Sequence, residues 1–143
     1  MVERSPCLLY APESFIRASA DVRATVVNGC GPSGWLNRIV PNHLWGLNIK
    51  PACNIHDWMY AEGETEEERA LADRVFINNL LRLIDEAGGW RWLQNLRRRQ
   101  ALVYYNACRN YGGPYYWSGK NPLNNEILSI AAGTRKDWAY GAV

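Results

Sequence analysis

One short segment carries several residues that could do chemistry together. Residues 52–63 read ACNIHDWMYAEG, which places a cysteine, a histidine and an aspartate within five consecutive positions. On a helix, Cys53 and Asp57 share one face and His56 and Tyr60 share the adjacent face, because side chains four residues apart are neighbours. Such a set could serve acid–base catalysis, hold a metal ion, or be an accident of composition.

A second carboxylate, Asp73, stands at the head of the apolar stripe of the next predicted helix. It lies about three turns past the turn at Gly63, and His56 lies about two turns before it, so the two come level within about one turn. A buried carboxylate without a partner costs several kcal/mol, and His56 is the obvious candidate for that partner. An ordinary ion pair with Arg69, four residues upstream, is the alternative.

Two helices joined by a short turn must position these residues. Pro51 suits the first turn of a helix that runs to about Ala61 and ends at Gly63. Thr65 and Glu68 form a T-x-x-E capping box, so a second helix begins at once. Because the connection is so short, we expect the two helices to be antiparallel neighbours. The apolar stripe of the second helix comprises Phe76, Ile77, Leu80, Leu81 and Ile84, and it ends before Gly88.

The rest of the chain predicts a mainly α fold, with one domain over residues 1–143 and the motifs in a core of about residues 28–86. No strand pattern, repeat or domain boundary is visible. A short helix is expected within residues 11–24, and a third, C-terminal helix from about residue 90 to residue 111. The expected inward residues are Phe15, Ile16 and Ala20 on the short helix, and Leu93, Leu96, Val103 and Ala107 on the third helix.

Composition and charge indicate a globular protein. Of the 143 residues, 48% are hydrophobic and 21% are charged, which indicates neither disorder nor a membrane span, and a formal net charge of +2 is too small to argue for nucleic acid. The N-terminal residues carry no apolar stretch behind a basic start, so we expect no secretory signal and synthesis in the cytoplasm. Release from the cell, or association with a virus particle or an effector, stays open. The four cysteines do not make a disulfide-dense scaffold.

These motifs resemble the phospholipase A2 superfamily. Its signature is a helix with a cysteine, two residues, His-Asp and, three residues after that aspartate, a tyrosine, which Cys53, His56, Asp57 and Tyr60 match. Upstream, the family has a glycine-rich calcium loop of the form C-G-x-G-G, and residues 30–34 read C-G-P-S-G.

Downstream, the short interval from histidine to aspartate and the run ALADRVF are similar to the phospholipase domain of parvoviral capsids, and the spacing also suits bacterial or phage-like members. The resemblance covers about residues 28–83. It implies a phospholipase A2-like fold, with two antiparallel catalytic helices, the calcium loop and an additional C-terminal helix. It also implies hydrolysis of the sn-2 ester of glycerophospholipids by water.

The resemblance assigns a role to each site residue. His56 is the base, Asp73 orients its ring, and Tyr60 bonds Asp73. The ion would be Ca²⁺, bound with an affinity on the order of 10⁻⁴ to 10⁻³ M because a single carboxylate contributes. Its ligands would be the carbonyl groups of Gly29, Gly31 and Ser33 and the carboxylate of Asp57.

The sequence departs from the family pattern at several cysteine and glycine positions. Ser33 stands where the loop usually has a second glycine. Met59 and Ala72 stand at two positions where cysteines pair in the family, so both partners of that bridge are missing together. Cys30 and Cys53 match a pair that is bridged in secreted members, and the resemblance implies that oxidation joins them.

The resemblance implies a phospholipid bilayer surface as partner. Seven tryptophans are unusual for a chain of this length, and Trp35 and Trp45 flank the predicted calcium loop, where they could form an interfacial collar. Arg97 to Arg99 form a basic run that is more often a solvated helix face.

Three other functions remain open. The first is a catalytically silent relative that binds lipid or another partner. The second is a papain-like peptidase with Cys30 as nucleophile, although Pro32 and Pro41 interrupt the helix that should follow. The third is a zinc module that uses Cys30, Cys53 and His56, which offers only three ligands.

Overall fold

The computed structural model describes residues 8–28, 42–118, 120 and 140–142. This part of the chain is mainly helical, as the sequence predicts. Its helices are α1 (Glu13–Arg17), α2 (Ala20–Asn28), α3 (Lys50–Glu62), α4 (Glu66–Ala87), α5 (Arg91–Tyr111) and α6 (Gly113–Trp117). Its strands are β1 (Tyr10–Pro12), β2 (His43–Leu44), β3 (Leu47–Asn48) and β4 (Tyr140–Ala142). No helix within the described ranges is both long and apolar enough to cross a membrane.

The turn between α3 and α4 has the predicted chemistry. Helix α3 ends where the N–H of Gly63 donates to the carbonyl of Met59 at 2.9 Å. The hydroxyl of Thr65 accepts from the N–H of Glu68 at 3.1 Å, and the Glu68 carboxylate accepts from the N–H of Thr65 at 3.2 Å. This reciprocal capping box satisfies two donors at the start of α4, so the chain folds back along α3 after a three-residue connection.

Tyr116, in α6, packs over the same turn. Its hydroxyl donates to the carbonyl of Thr65 at 2.5 Å, and its side chain is buried. A Cβ atom on Gly63 would lie 2.6 Å from the Tyr116 hydroxyl oxygen and 3.0 Å from the carbonyl of Met59. Because the Tyr116 side chain lies this close to the backbone, position 63 requires glycine. This contact also helps to hold the turn between α3 and α4.

The core lies where α4 packs against α3 on one side and against α5 on the other. Phe76, Leu80 and Ile84 of the predicted stripe are buried, whereas Ile77 is half-buried and Leu81 is exposed.

The inward side of α5 is predicted only in part, because Ala107 packs against the core as predicted but the most buried side of the helix is a different one. Its buried residues are Ala101, Tyr104 and Cys108, whereas Val103 is exposed. The Tyr104 hydroxyl donates to the carbonyl of His43 at 3.1 Å. The inward side of the helix therefore carries an aromatic residue with a polar group, and not the aliphatic residues that the pattern predicted. The helix is rotated relative to the prediction, and Leu93 and Leu96 are only half-buried.

The expectation of no strands is also wrong. Strand β1 pairs antiparallel with β4, and β2 pairs with β3 in a tight hairpin. Strands of two or three residues are too short to show an alternating pattern. The buried amide of Asn79 in α4 holds β1 in place, because it accepts from the N–H of Tyr10 and donates to its carbonyl, both at 2.8 Å.

The helix expected within residues 11–24 is divided. Its first residues belong to β1, and α1 and α2 are separated by a break after Arg17. Phe15 is buried as predicted, Ile16 is half-buried, and Ala20 is exposed, contrary to the prediction. Strand pairing of β1 thus takes only the first two residues of the expected helix.

Gly63→Ala should lower the free energy of unfolding by about 1 to 3 kcal/mol, because the new methyl group overlaps the Tyr116 hydroxyl in a packed turn. The backbone of Gly63, at φ −65° and ψ 151°, suits any residue, so the effect is steric. Gly113→Ala is the matched control, since its Cβ atom would meet Arg69 at an ordinary 3.7 Å. Urea unfolding of both variants checks this, and equal losses would contradict it.

Candidate active site

His56 and Asp73 form a buried hydrogen-bonded pair. The Nε2 atom of His56, on α3, lies 2.7 Å from Oδ1 of Asp73, on α4, and both side chains are fully shielded from solvent. The predicted partnership is therefore present. The alternative partner, Arg69, instead donates to Glu66 at 2.5 Å and to the carbonyl groups of Cys108 and Arg109.

Tyr60 completes this arrangement as predicted. Its hydroxyl donates to Oδ1 of Asp73 at 2.7 Å, so this oxygen receives two hydrogen bonds from α3. The Tyr60 ring lies one helical turn beyond the imidazole, with ring centroids 4.2 Å apart, and the Phe76 ring lies 4.8 Å from the imidazole. Two aromatic rings therefore restrict the orientation of the imidazole.

Arg109 is a member of the site that sequence reasoning missed. From near the end of α5, it donates to the second oxygen of Asp73, Oδ2, at 2.7 Å. Its guanidinium also lies 3.7 Å from the carboxylate of Glu66. Helix α5 carries five arginines and no acidic residue, so nothing in the local pattern distinguishes the one that reaches Asp73.

These contacts keep Asp73 ionised and Tyr60 protonated. Burial alone would raise the pKa of Asp73, but the hydrogen bond and charge of His56, with the bonds from Tyr60 and Arg109, hold it below the ordinary value. Burial, and then the charge of Asp73, raise the pKa of Tyr60 far above its ordinary value, so Tyr60 acts only as a donor. The pair is thus a carboxylate facing an imidazole N–H.

This geometry defines the chemistry of the imidazole. Because Asp73 accepts from Nε2–H, the neutral ring carries its basic lone pair on Nδ1. An imidazole oriented in this way by a carboxylate is suited to remove a proton from water or from a hydroxyl group.

Asp57 is half-buried on α3, next to His56 in sequence. Its Oδ1 atom is buried, and no described residue donates a hydrogen bond to it. Burial raises the pKa of Asp57 to about 6, with the charge of His56 opposing the shift. An uncompensated carboxylate oxygen is a fitting ligand for a cation. The other predicted ligands, Gly29, Gly31 and Ser33, lie outside the described residues.

The thiol of Cys53 is free and buried in the structure, and burial together with the charge of Asp57 raises its pKa to about 12. Cys30 lies outside the described residues, so its pairing with Cys53 stays a prediction. The peptidase and zinc-module hypotheses both require Cys30, so they also stay untested.

Cys108 is an unpredicted neighbour of the pair. Its sulfur, a ring nitrogen of His56 and a carboxylate oxygen of Asp73 lie within 4.8 Å of one another. A metal there would have to displace the hydrogen bonds that occupy both Asp73 oxygens and would face the charge of Arg109. Burial, and then the charge of Asp73, raise the pKa of the thiol well above its ordinary value, so it is a poor nucleophile.

Comparison with known proteins gives no relative from which a role could be transferred. No family model matches the chain, and neither a curated protein nor a solved structure matches it.

Arg109→Gln should lower the free energy of unfolding by about 2 to 4 kcal/mol, because it leaves a buried carboxylate without its counter-charge. Arg98→Gln is the matched control. Arg98 pairs with Asp85 at 3.0 Å on the surface, and such pairs contribute less than about 1 kcal/mol. Denaturant titration of the two variants makes the comparison, and an equal cost would refute the charge balance described for Asp73.

Proposed function

We propose that this protein is a calcium-dependent hydrolase of the phospholipase A2 type, with a phospholipase A2-like fold, that cleaves the sn-2 ester of glycerophospholipids. The observation that carries the proposal is the buried bond of 2.7 Å between His56 Nε2 and Asp73 Oδ1. It is supported by Asp57, whose unbonded oxygen stands one residue beyond the histidine. A histidine–aspartate pair beside a carboxylate that can bind a cation is suited to hydrolysis of an ester by water.

His56 is the general base in this proposal. Its Nδ1 atom removes a proton from water while the water oxygen bonds to the ester carbonyl carbon. The same proton then passes to the oxygen of the leaving lysophospholipid as the ester C–O bond breaks. The products are a free fatty acid and a lysophospholipid, and no side-chain nucleophile is required.

Asp73 orients the imidazole and stabilises the imidazolium that forms when Nδ1 takes the proton. Tyr60 and Arg109 act through Asp73, since each donates to one of its oxygens. They are positioning residues that hold the carboxylate still and ionised.

The unpartnered Oδ1 atom of Asp57 fits a cation. Together with the carbonyl groups of Gly29, Gly31 and Ser33, which the resemblance assigns, Asp57 would hold Ca²⁺. When bound, the ion would polarise the ester carbonyl and stabilise negative charge on its oxygen.

Access to the base is a further requirement of the proposal. The side chain of His56 has no solvent-exposed surface. A lipid ester therefore reaches Nδ1 only when the groups that cover the ring separate, so turnover includes an opening step.

His56→Gln should reduce ester hydrolysis by a factor of about 10² to 10⁴, because it removes the general base. Asp73→Asn should cause a smaller loss, since Asp73 orients the ring without taking the proton. The measurement is release of fatty acid from mixed phospholipid vesicles in calcium, with the position of cleavage identified from the products.

Two cysteine variants separate the alternatives. Cys108→Ser should stay active, because its protonated thiol takes no part in the reaction. Cys30→Ser should also stay active, at the cost of stability if that residue forms a bridge. An inactive Cys30→Ser beside an active His56→Gln would favour the peptidase reading, and a wild type without any hydrolysis would favour a silent relative that only binds lipid.

Asp57→Asn should abolish the stabilisation that calcium provides while leaving the fold intact, because an amide of the same shape replaces the charged ligand. At a calcium concentration about tenfold above Kd, the wild type should gain about 1.4 kcal/mol, seen as a rise in Tm. Asp85→Asn, a change at an exposed carboxylate, is the matched control and should keep the rise. A calcium response that survives in Asp57→Asn would show that the ion binds elsewhere.

A further inference from the structure

The outer side of α5 exposes large apolar residues beside arginines. Trp92, Arg99, Leu102 and Val103 fall within about 100° of the helix circumference, on the side opposite Cys108. Leu102 is 52% exposed and Val103 is 56% exposed, which is unusual for neighbouring aliphatic residues in the middle of a long helix. This stripe extends about 16 Å along the helix axis from Trp92 to Val103.

A further exposed indole lies at the N-terminal end of this stripe. Trp90 packs edge to face on Trp92, with ring centroids 6.1 Å apart, and both are exposed. We call this surface the Trp–Arg face, and it comprises Trp90, Trp92, Arg98, Arg99, Leu102 and Val103.

The charge of this surface is of one sign. Helix α5 contains five arginines and no aspartate or glutamate. Arg98 is paired with Asp85 at 3.0 Å, whereas Arg99 is exposed and makes no ion pair with a described residue. The positive charge of Arg99 therefore favours a negatively charged occupant of the Trp–Arg face.

We infer that the Trp–Arg face docks on the surface of an anionic phospholipid bilayer. Indole rings are favoured at the boundary between headgroups and acyl chains, and arginines attract anionic headgroups. Transfer of the Leu102 and Val103 side chains out of water is also favourable in free energy. A second copy of this chain is a poor occupant, because face against face would bring Arg98 and Arg99 of both copies together. Nucleic acid would satisfy the arginines but would give the two aliphatic side chains little apolar surface.

This surface lies on the side of α5 that faces away from Cys108 and the His56–Asp73 pair, so docking is independent of the proposed catalysis and can be tested without it. Wild-type protein in excess chelator is sedimented with vesicles of phosphatidylcholine alone, or of phosphatidylcholine with one part in four of phosphatidylglycerol. Binding to the anionic vesicles should be at least about tenfold stronger and should weaken as salt increases.

Two double variants remove the two components of the surface. Leu102→Ser with Val103→Ser, and Arg98→Gln with Arg99→Gln, should each weaken binding to anionic vesicles by about tenfold. Both pairs lie on the exposed side of α5 and do not contact His56 or Asp73, so hydrolysis of a dispersed short-chain phospholipid should be unchanged.

The chain offers a matched control for each variant. Leu8→Ser with Val22→Ser changes a leucine and a valine of similar exposure, 59% and 49%, outside α5. Arg17→Gln with Arg74→Gln removes two exposed arginines outside α5, of which one, like Arg98, is paired with an acidic residue. Both controls should bind vesicles as the wild type does.

Several outcomes would overturn the inference. The first is equal binding to neutral and anionic vesicles, and the second is an equal effect of the control variants and the α5 variants. The third is absence of vesicle binding by the wild type, together with self-association or oligonucleotide binding that the α5 variants lose. Vesicle binding without hydrolysis would refute the proposed function and leave the docking surface standing. Hydrolysis without vesicle binding that depends on α5 would refute the docking surface and leave the proposed function standing.

Discussion

The carboxylate of Asp73 has no contact with solvent, and its charge must be balanced inside the protein. Two helices supply the partners of this carboxylate, which itself belongs to α4. Helix α3 supplies His56 and Tyr60, four residues apart, to Oδ1, and α5 supplies Arg109 to Oδ2. The relative positions of the three longest helices are thus tied to one ionised group, and moving any of them would leave that group without a partner.

Further hydrogen bonds hold the ends of the helices that surround this carboxylate. Arg69 of α4 donates to the carbonyls of Cys108 and Arg109, close to the end of α5, where the helix dipole is negative. Tyr116 of α6 binds the turn before α4. Structural support and candidate catalytic geometry therefore cannot be separated at this site, because the same backbone segments carry both.

The sequence predicts those parts of the site that depend on local patterns. The boundaries of α3 and α4 follow from Pro51, Gly63 and the capping box, and the level positions of His56 and Asp73 follow from the short turn between the helices. These features depend on residues close together in the chain, so spacing alone defines them.

The remaining features depend on distant partners. The inward side of α5 is set by Tyr104, whose hydroxyl finds a carbonyl in β2, and not by the leucines of its first half. The contact of Arg109 with Asp73 spans 36 residues, and β1 finds its partner strand at the other end of the chain. No periodicity within one segment contains information about such pairings. The predicted calcium loop, the disulfide and the lipid substrate stay predictions.

The difference in sequence separation also has a kinetic consequence. His56 and Asp73 are 17 residues apart, so the α3–α4 hairpin can form early, while the carboxylate is still hydrated. Because the contact of Arg109 with Asp73 spans 36 residues, we expect docking of α5 to follow and to remove that water. Contacts made after the transition state slow unfolding and do not accelerate folding, so we expect Arg109 to affect the lifetime of the native state more than the speed of reaching it.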